Sequence, residues 1–228
     1  MRINADLSKP VIVHAGKLDW VPSPAAGVER RMLYRVGGEV ARATSIVRYA
    51  PGSVFPRHTH TGGEETFVLD GTFQDEHGDY PAGSYFRNPP GSSHVPASRE
   101  GCTIFVRLWQ YREGDREQLV CKPREGRSIT PRTGAMEVRI LFDDGEEQVR
   151  LERFPARAGI EFDNPRGLEL LVAAGAIEFE RDKLKTQTWV RLPAGIKFKG
   201  TAGHNGLTLW VKDAPLLHRG VLPLPQMP

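Results

Sequence analysis

Long apolar runs are missing from this sequence. None approaches the ~20 residues that cross a bilayer, and the stretch from Met1 to Pro10 lacks the apolar segment of a secretory signal. A cytoplasmic protein without membrane contact is expected. Cysteine is scarce: Cys102 and Cys121 are the only two, with neither CxxC spacing nor a second pair, which excludes a zinc ribbon and a disulfide scaffold. Cys102 opens an apolar stretch and reads as a small core residue, whereas Cys121 lies in a polar segment and carries no assignable role. Blocks of like charge are absent as well. The 31 basic and 28 acidic residues are spread along the whole chain, without the basic stripe and interleaved aromatics of a nucleic-acid surface, so no nucleic-acid partner is expected.

Helical periodicity is the last absence. What is there instead is Gly (24) and Pro (18) as punctuation between short runs of β-branched and aromatic residues, the pattern of many strands joined by turns. Ile104, Val106 and Leu108 alternate with Thr103, Arg107 and Trp109; Val138, Ile140 and Phe142 alternate with Glu137 and Arg139; Leu207, Leu209 and Val211 alternate with Thr208 and Lys212. Strands of this kind are expected to bury one face. The expected fold class is all-β. Residues 113–133 are polar and rich in Arg, Glu, Gly and Pro, and read as a linker between a first domain at 1–112 and a second at 134–228, whose Pro-rich tail from Leu222 is expected to lie extended on the surface.

The two halves superimpose at a constant offset of 104 residues without a gap. Pro51 falls on Pro155, Glu65 on Glu169, Val68 on Val172, Gly71 on Gly175, Arg87 on Arg191, Pro89 on Pro193 and Gly91 on Gly195; Tyr85 meets Trp189 and Phe73 meets Ile177. The architecture is therefore duplicated, but its two copies differ in chemistry. In the first, His58 and His60 alternate on one strand face, Glu64 follows a Gly62-Gly63 turn at an even spacing, and His94 follows the Pro89-Pro90-Gly91 turn. Three imidazoles and a carboxylate suit one borderline divalent transition metal. In the second copy the same positions hold Phe162, Asn164, Leu168 and Phe198. Loss of all four together, while turn and core identities persist, separates a set that holds an ion from a set that builds the fold. The comparison also selects Glu64 over Glu65, because Glu65 has a counterpart in the copy that lacks ligands.

The stretch Gly52-Ser-Val-Phe-Pro-Arg-His58-Thr-His60-Thr-Gly-Gly-Glu64, with Gly71 beyond it, resembles the first motif of the cupins, and Gly83-Ser-Tyr-Phe-Arg-Asn-Pro89-Pro-Gly91-Ser-Ser-His94 resembles the second. Ser98 departs from the Asn that usually ends the second motif. The resemblance implies two tandem jelly-roll β-barrels, a bicupin, with metal ligands at His58, His60, Glu64 and His94 in the N-terminal barrel and a degenerate C-terminal barrel. The spacing is most similar to the cupin domain of ChrR-type anti-sigma factors, which implies zinc and stress sensing with a sigma factor as partner. It is also similar to acetylacetone-cleaving and dihydroxyacetophenone dioxygenases, which implies iron and carbon–carbon cleavage of a carbonyl substrate.

Zinc or iron leads the metal candidates, with nickel and manganese behind, and a small-molecule ligand or substrate is expected in the N-terminal barrel. The chain begins directly with strands rather than with the helical partner-binding domain of those anti-sigma factors, so a metal-dependent, dioxygenase-like enzyme is the first expectation and a sensory module the alternative. A homodimer that shares edge strands is compatible with either, although a bicupin can satisfy those edges within its own chain. Arg48 and Arg107 are candidates to enter the first barrel and hold an anionic group, although an outward, solvated Arg is the default on a half-buried strand; Trp109 and Trp210 read as packing residues, Arg87 and Arg191 read as structural, and His14, His77, His204 and His218 fit no ligand spacing.

Overall fold

The structure, a computed structural model, describes residues 1–225; the last residues of the Pro-rich tail lie outside them. Among the described residues the chain is strand and turn throughout, with one short 3-10 helix, Ala15–Lys17. No helix among them is long and apolar enough to cross a membrane. The strands form two compact antiparallel units, as expected for two jelly rolls, and the units interleave in sequence. The first takes Met1–Ala5, Asp19–Arg124 and the stretch from Leu217 on; the second takes Asp6–Leu18 and Glu125–Leu216.

In the first unit the main sheet runs Arg2–Ile3, Val28–Gly37, Ala41–Tyr49, Cys102–Leu108, Glu64–Asp75, Tyr85–Asn88, Leu119–Cys121. In the second it runs Arg127–Ile129, Glu137–Asp143, Gln148–Phe154, Phe198–Asp213, Gly167–Phe179, Thr188–Pro193, Val11–His14. The last strand of each list comes from the segment that precedes the other unit in the chain. Val11–His14 lies along Thr188–Arg191, as Leu119–Cys121 lies along Tyr85–Arg87. Cys121, without a role in the sequence, is thus a buried strand residue opposite Tyr85.

The offset of 104 holds in the pairing. Phe73 opposes Tyr80 as Ile177 opposes Leu184, and Tyr85 opposes Phe67 as Trp189 opposes Leu171. Gly71 and Gly175 show why one residue type is kept at both places. Each has positive φ (69° and 83°), and a Cβ there would stand 2.1 Å from the Gly101 carbonyl oxygen or 2.2 Å from that of Gly206. Glu65 and Glu169 also repeat a bond: Tyr85 Oη donates to Glu65 (2.8 Å) and Trp189 Nε1 to Glu169 (3.1 Å).

Burial of one strand face, the expectation from alternation, is corrected. Phe105, Arg107, Trp210 and Lys212, on the faces opposite Ile104 and Leu209, are buried too. The charged ones are tolerated because they are paired, Arg107 with Glu65 (2.5 Å) and Lys212 with Glu147 (2.9 Å). Of the residues read as structural, Arg87 pairs with Asp115 (2.6 Å) beneath the ring of Tyr111, and Arg191 donates to the Asp6 carbonyl.

Candidate metal centre

Two short strands, His58–Thr59 and Ser93–His94, pair antiparallel with His58 directly opposite His94. The chain then turns at His60, whose carbonyl accepts from Gly63 and Gly91, and Glu64 begins the long strand Glu64–Asp75 opposite Asn88 and Leu108. The Gly62-Gly63 turn is clamped by aromatic rings. A Cβ on Gly62 would meet Trp109 at 2.0 Å and one on Gly63 would meet Tyr111 at 2.4 Å. Trp109 itself takes positive φ (59°) and donates its N–H to the Gly63 carbonyl, while Tyr111 Oη donates to the Glu64 carbonyl. The glycines are therefore required by close approach, and the rings hold the spacing between His60 and Glu64.

His58, His60, Glu64 and His94 meet, each offering one ligand atom, and those atoms all lie within 4.8 Å of one another. His60, Glu64 and His94 are buried, and His58 is half-buried. All three imidazoles are held through Nδ1 by acceptors. His58 donates to the Pro56 carbonyl (3.1 Å) and His94 to the Asp75 carboxylate (3.1 Å). His60 donates to Ser92 Oγ (3.0 Å), whose own proton is given to the Pro89 carbonyl. With Nδ1 protonated in each ring, Nε2 carries the lone pair. Nε2 of His60 and of His94 is buried without a hydrogen-bond partner, and these atoms stand 3.6 and 3.8 Å from the Glu64 carboxylate oxygens. Buried acceptors left open and aimed at one carboxylate fit a divalent cation.

The electrostatics agree. Burial alone would raise the Glu64 carboxyl, but the three histidines and the Asn88 amide pull it below its ordinary value. Burial, reinforced by the neighbouring rings, lowers His60, against the pull of Glu64. Burial also acts to lower His94, yet its bond to Asp75 and the nearby Glu64 carry it above the ordinary range. Asp75 is fixed in turn by the His77 N–H and the Tyr80 hydroxyl.

A cavity of about 340 Å³ adjoins the four residues, lined among others by Tyr49, Phe55, Phe73, Ile104, Val106 and Trp109. Arg48 and Arg107, the candidates to hold an anion, do not line it. Arg48 pairs with Glu29 and stacks on Trp20 (4.4 Å), and Arg107 is taken by Glu65 and Gln110. Arg30 and Arg35 line it instead. Five residues apart, they would face opposite sides of a regular strand; an irregularity between Met32 and Tyr34 shifts the phase so that both reach the cavity.

Asp75, Asn88 and Ser92, the partners of the clustered residues, were not singled out in the sequence. The signal was present, since at the offset of 104 they become Phe179, Leu192 and Ile196. The second barrel is filled accordingly. Phe162 opposes Phe198 where His58 opposes His94, Phe179 stacks on Phe198 at 5.0 Å, and Phe162, Leu168 and Phe198 are fully buried. Arg132 lies over the Phe162 ring (3.7 Å) and, with Arg150, pairs with the buried Glu152.

Residues 8–112 match the family described as the ChrR Cupin-like domain. No curated protein matches the sequence. Among solved structures, a candidate dioxygenase from Nostoc punctiforme is similar over 97% of this chain and 88% of its own, with a TM-score of 0.70 and 14% identity. The pirin YhhW from Escherichia coli, solved in complex with nickel(II), is similar over 91% of this chain and 99% of its own (TM-score 0.66, 13% identity). A cupin 2 conserved barrel domain protein from Leptotrichia buccalis is similar over 94% and 100% (TM-score 0.56, 12% identity). Likeness at these identities is likeness of fold. The chain therefore shares the fold of these structures, a cupin barrel protein among them, and its residues 8–112 match the ChrR Cupin-like domain.

Proposed function

We propose that the first barrel holds one divalent transition metal through Nε2 of His58, His60 and His94 and the carboxylate of Glu64. We further propose that the protein is a metal-dependent, dioxygenase-like enzyme for a small carbonyl or enolisable compound bound in the adjoining cavity. The observation that carries this reading is the conjunction of buried, unpartnered Nε2 atoms with a cavity large enough for a small molecule. A bound ion would supply Lewis acidity or, if it is iron, oxygen chemistry. The chain's own residues do the rest. Asp75, Ser92 and the Pro56 carbonyl orient the rings, the apolar wall from Phe55 to Trp109 excludes water, and the filled second barrel takes no part in metal binding.

Zinc and iron remain the leading candidates, with nickel and manganese behind them; the nickel(II) of the pirin is that protein's ion. A second reading, a zinc-binding sensory cupin without catalysis, is favoured by the match of residues 8–112. Elemental analysis of protein purified without a metal-binding tag, beside a His58→Ala, His60→Ala variant, tests the metal. Near-stoichiometric iron lost in the variant, followed by oxygen uptake with diketones or hydroxyketones, supports the enzyme. Stoichiometric zinc, no turnover and co-purification of a sigma factor support the sensor. No metal in either sample overturns both.

A further inference from the structure

The cavity has a second polar end. Arg35 sits three strands over from Glu64 in one cross-strand row, Arg35 opposite Ala43, Ala43 opposite Leu108 and Leu108 opposite Glu64. Three inter-strand spacings make that path about 14 Å along the sheet. Between the ends, Val47, Ile104, Val106 and Leu108 supply an apolar wall. The charges lining the space are Arg30, Arg35, Glu39 and Glu64, which cancel when the imidazoles are neutral. Adding a divalent ion leaves the lined space with an excess of two positive charges, a field that draws anions.

Glu39 is a replaceable partner. It binds Arg30 in a fork at 2.9 and 3.1 Å, but its side chain is 66% exposed whereas that of Arg30 is 18% exposed, and an ion pair held at the solvent edge is weak. Arg30 Nε is buried without a hydrogen-bond partner, so the guanidinium has a donor that Glu39 does not use. Arg35 donates to the carbonyls of Gly38 and Glu39 and thereby holds the turn that carries Glu39 across from Arg30.

We propose that the first barrel takes a small organic carboxylate with an apolar body, whose carboxylate replaces Glu39 on Arg30. The body lies against the wall from Val47 to Leu108, and the far end reaches the four clustered residues. This deepens the reading above and rests on the cavity being the ligand site, but its anion end is built from residues separate from the metal set.

Titration calorimetry with phenylacetate and its uncharged counterpart phenylacetamide tests this, on metal-free and zinc-treated protein. Wild type is expected to bind the acid at least about tenfold more tightly than the amide. Arg30→Gln is expected to lose that preference, a drop of roughly 10- to 100-fold for the acid, the worth of charge-assisted hydrogen bonds, with amide binding and metal content unchanged. Glu39→Gln, which removes the competing carboxylate, is expected to tighten the acid, and Arg30→Lys, which keeps the charge, to retain part of the preference. Equal binding of acid and amide overturns the proposal, as does a preference that survives Arg30→Gln. A protein that holds no metal yet selects the acid through Arg30 sinks the metal reading and leaves this one standing. Normal metal content without acid selection does the reverse.

Discussion

The carboxylate behind His94 offers a sharp test of how the centre is built. Asp75 accepts from His94 Nδ1 at 3.1 Å and is itself pinned by the His77 N–H and the Tyr80 hydroxyl, so it sets both the tautomer and the direction of the ring. Replacing it by Asn keeps the shape and removes the charge. Loss of such an outer partner weakens metal binding by about 10- to 100-fold, or about 1.4–2.7 kcal/mol. If the four residues hold one ion, that stoichiometry should not change, because all four proposed ligand atoms remain.

The pH dependence gives the prediction its sign. The Asp75 bond and Glu64 raise the His94 pKa, and the competing proton goes to Nε2, the atom that would face the ion. Wild type therefore loses affinity as pH falls through the raised value, whereas Asp75→Asn begins that loss at lower pH. The gap between the two is widest at pH 8 and narrows at pH 6. Zinc competition with a chromophoric chelator at both pH values measures it. Equal affinities at pH 8, or a gap that widens toward acid, would refute the assigned role of Asp75.

Other perturbations reach different parts of the molecule. Phe198→Ala empties a fully buried ring position in the second barrel and should cost about 3–5 kcal/mol by urea unfolding without changing metal content; a change below about 1 kcal/mol would mean that the interior is not packed there. Burial pushes the Cys102 thiol up to about 11, so neither it nor the buried Cys121 should react with an aromatic disulfide reagent at pH 8 until the protein unfolds, and a thiol that reacts rapidly in the native state contradicts this. The Val95 N–H and Arg57 hold Glu76 down at about 2. Its stabilisation is present above the ordinary carboxylate value and is lost as pH falls toward 2. Acid unfolding of Glu76→Gln should thus differ from wild type above that range and converge with it below, and parallel curves throughout would remove Glu76 as the cause.

How much of this was legible beforehand depended on whether the signal was carried by spacing or by pairing. His58, His60, Glu64 and His94 could be named because their separations and their joint replacement by Phe162, Asn164, Leu168 and Phe198 are properties of the linear chain. Asp75, Asn88 and Ser92 carried the same mark at the same offset. Arg30 and Arg35 did not, because the backbone irregularity that turns both toward the cavity leaves no trace in a pattern of period two. The direction of Arg107 stayed open for a related reason. Its strand is buried on both faces, so inward and outward could not be told from polarity, and only the partner Glu65 shows which way it points. The edge strands Val11–His14 and Leu119–Cys121 were hidden because a short edge strand chooses its neighbour through backbone bonds that any sequence can make.

That exchange of edge strands orders events during synthesis. Val11–His14 leaves the ribosome well ahead of its partner, since Thr188, which faces His14, lies 174 residues further on. At ~5–20 residues per second its place in the sheet opens only after roughly 10–35 s. Through that interval the strand waits with its backbone donors and acceptors unclaimed, and Ile12, 37% exposed even in the finished sheet, waits with it. A strand made well ahead of its partner is therefore among the last to be seated.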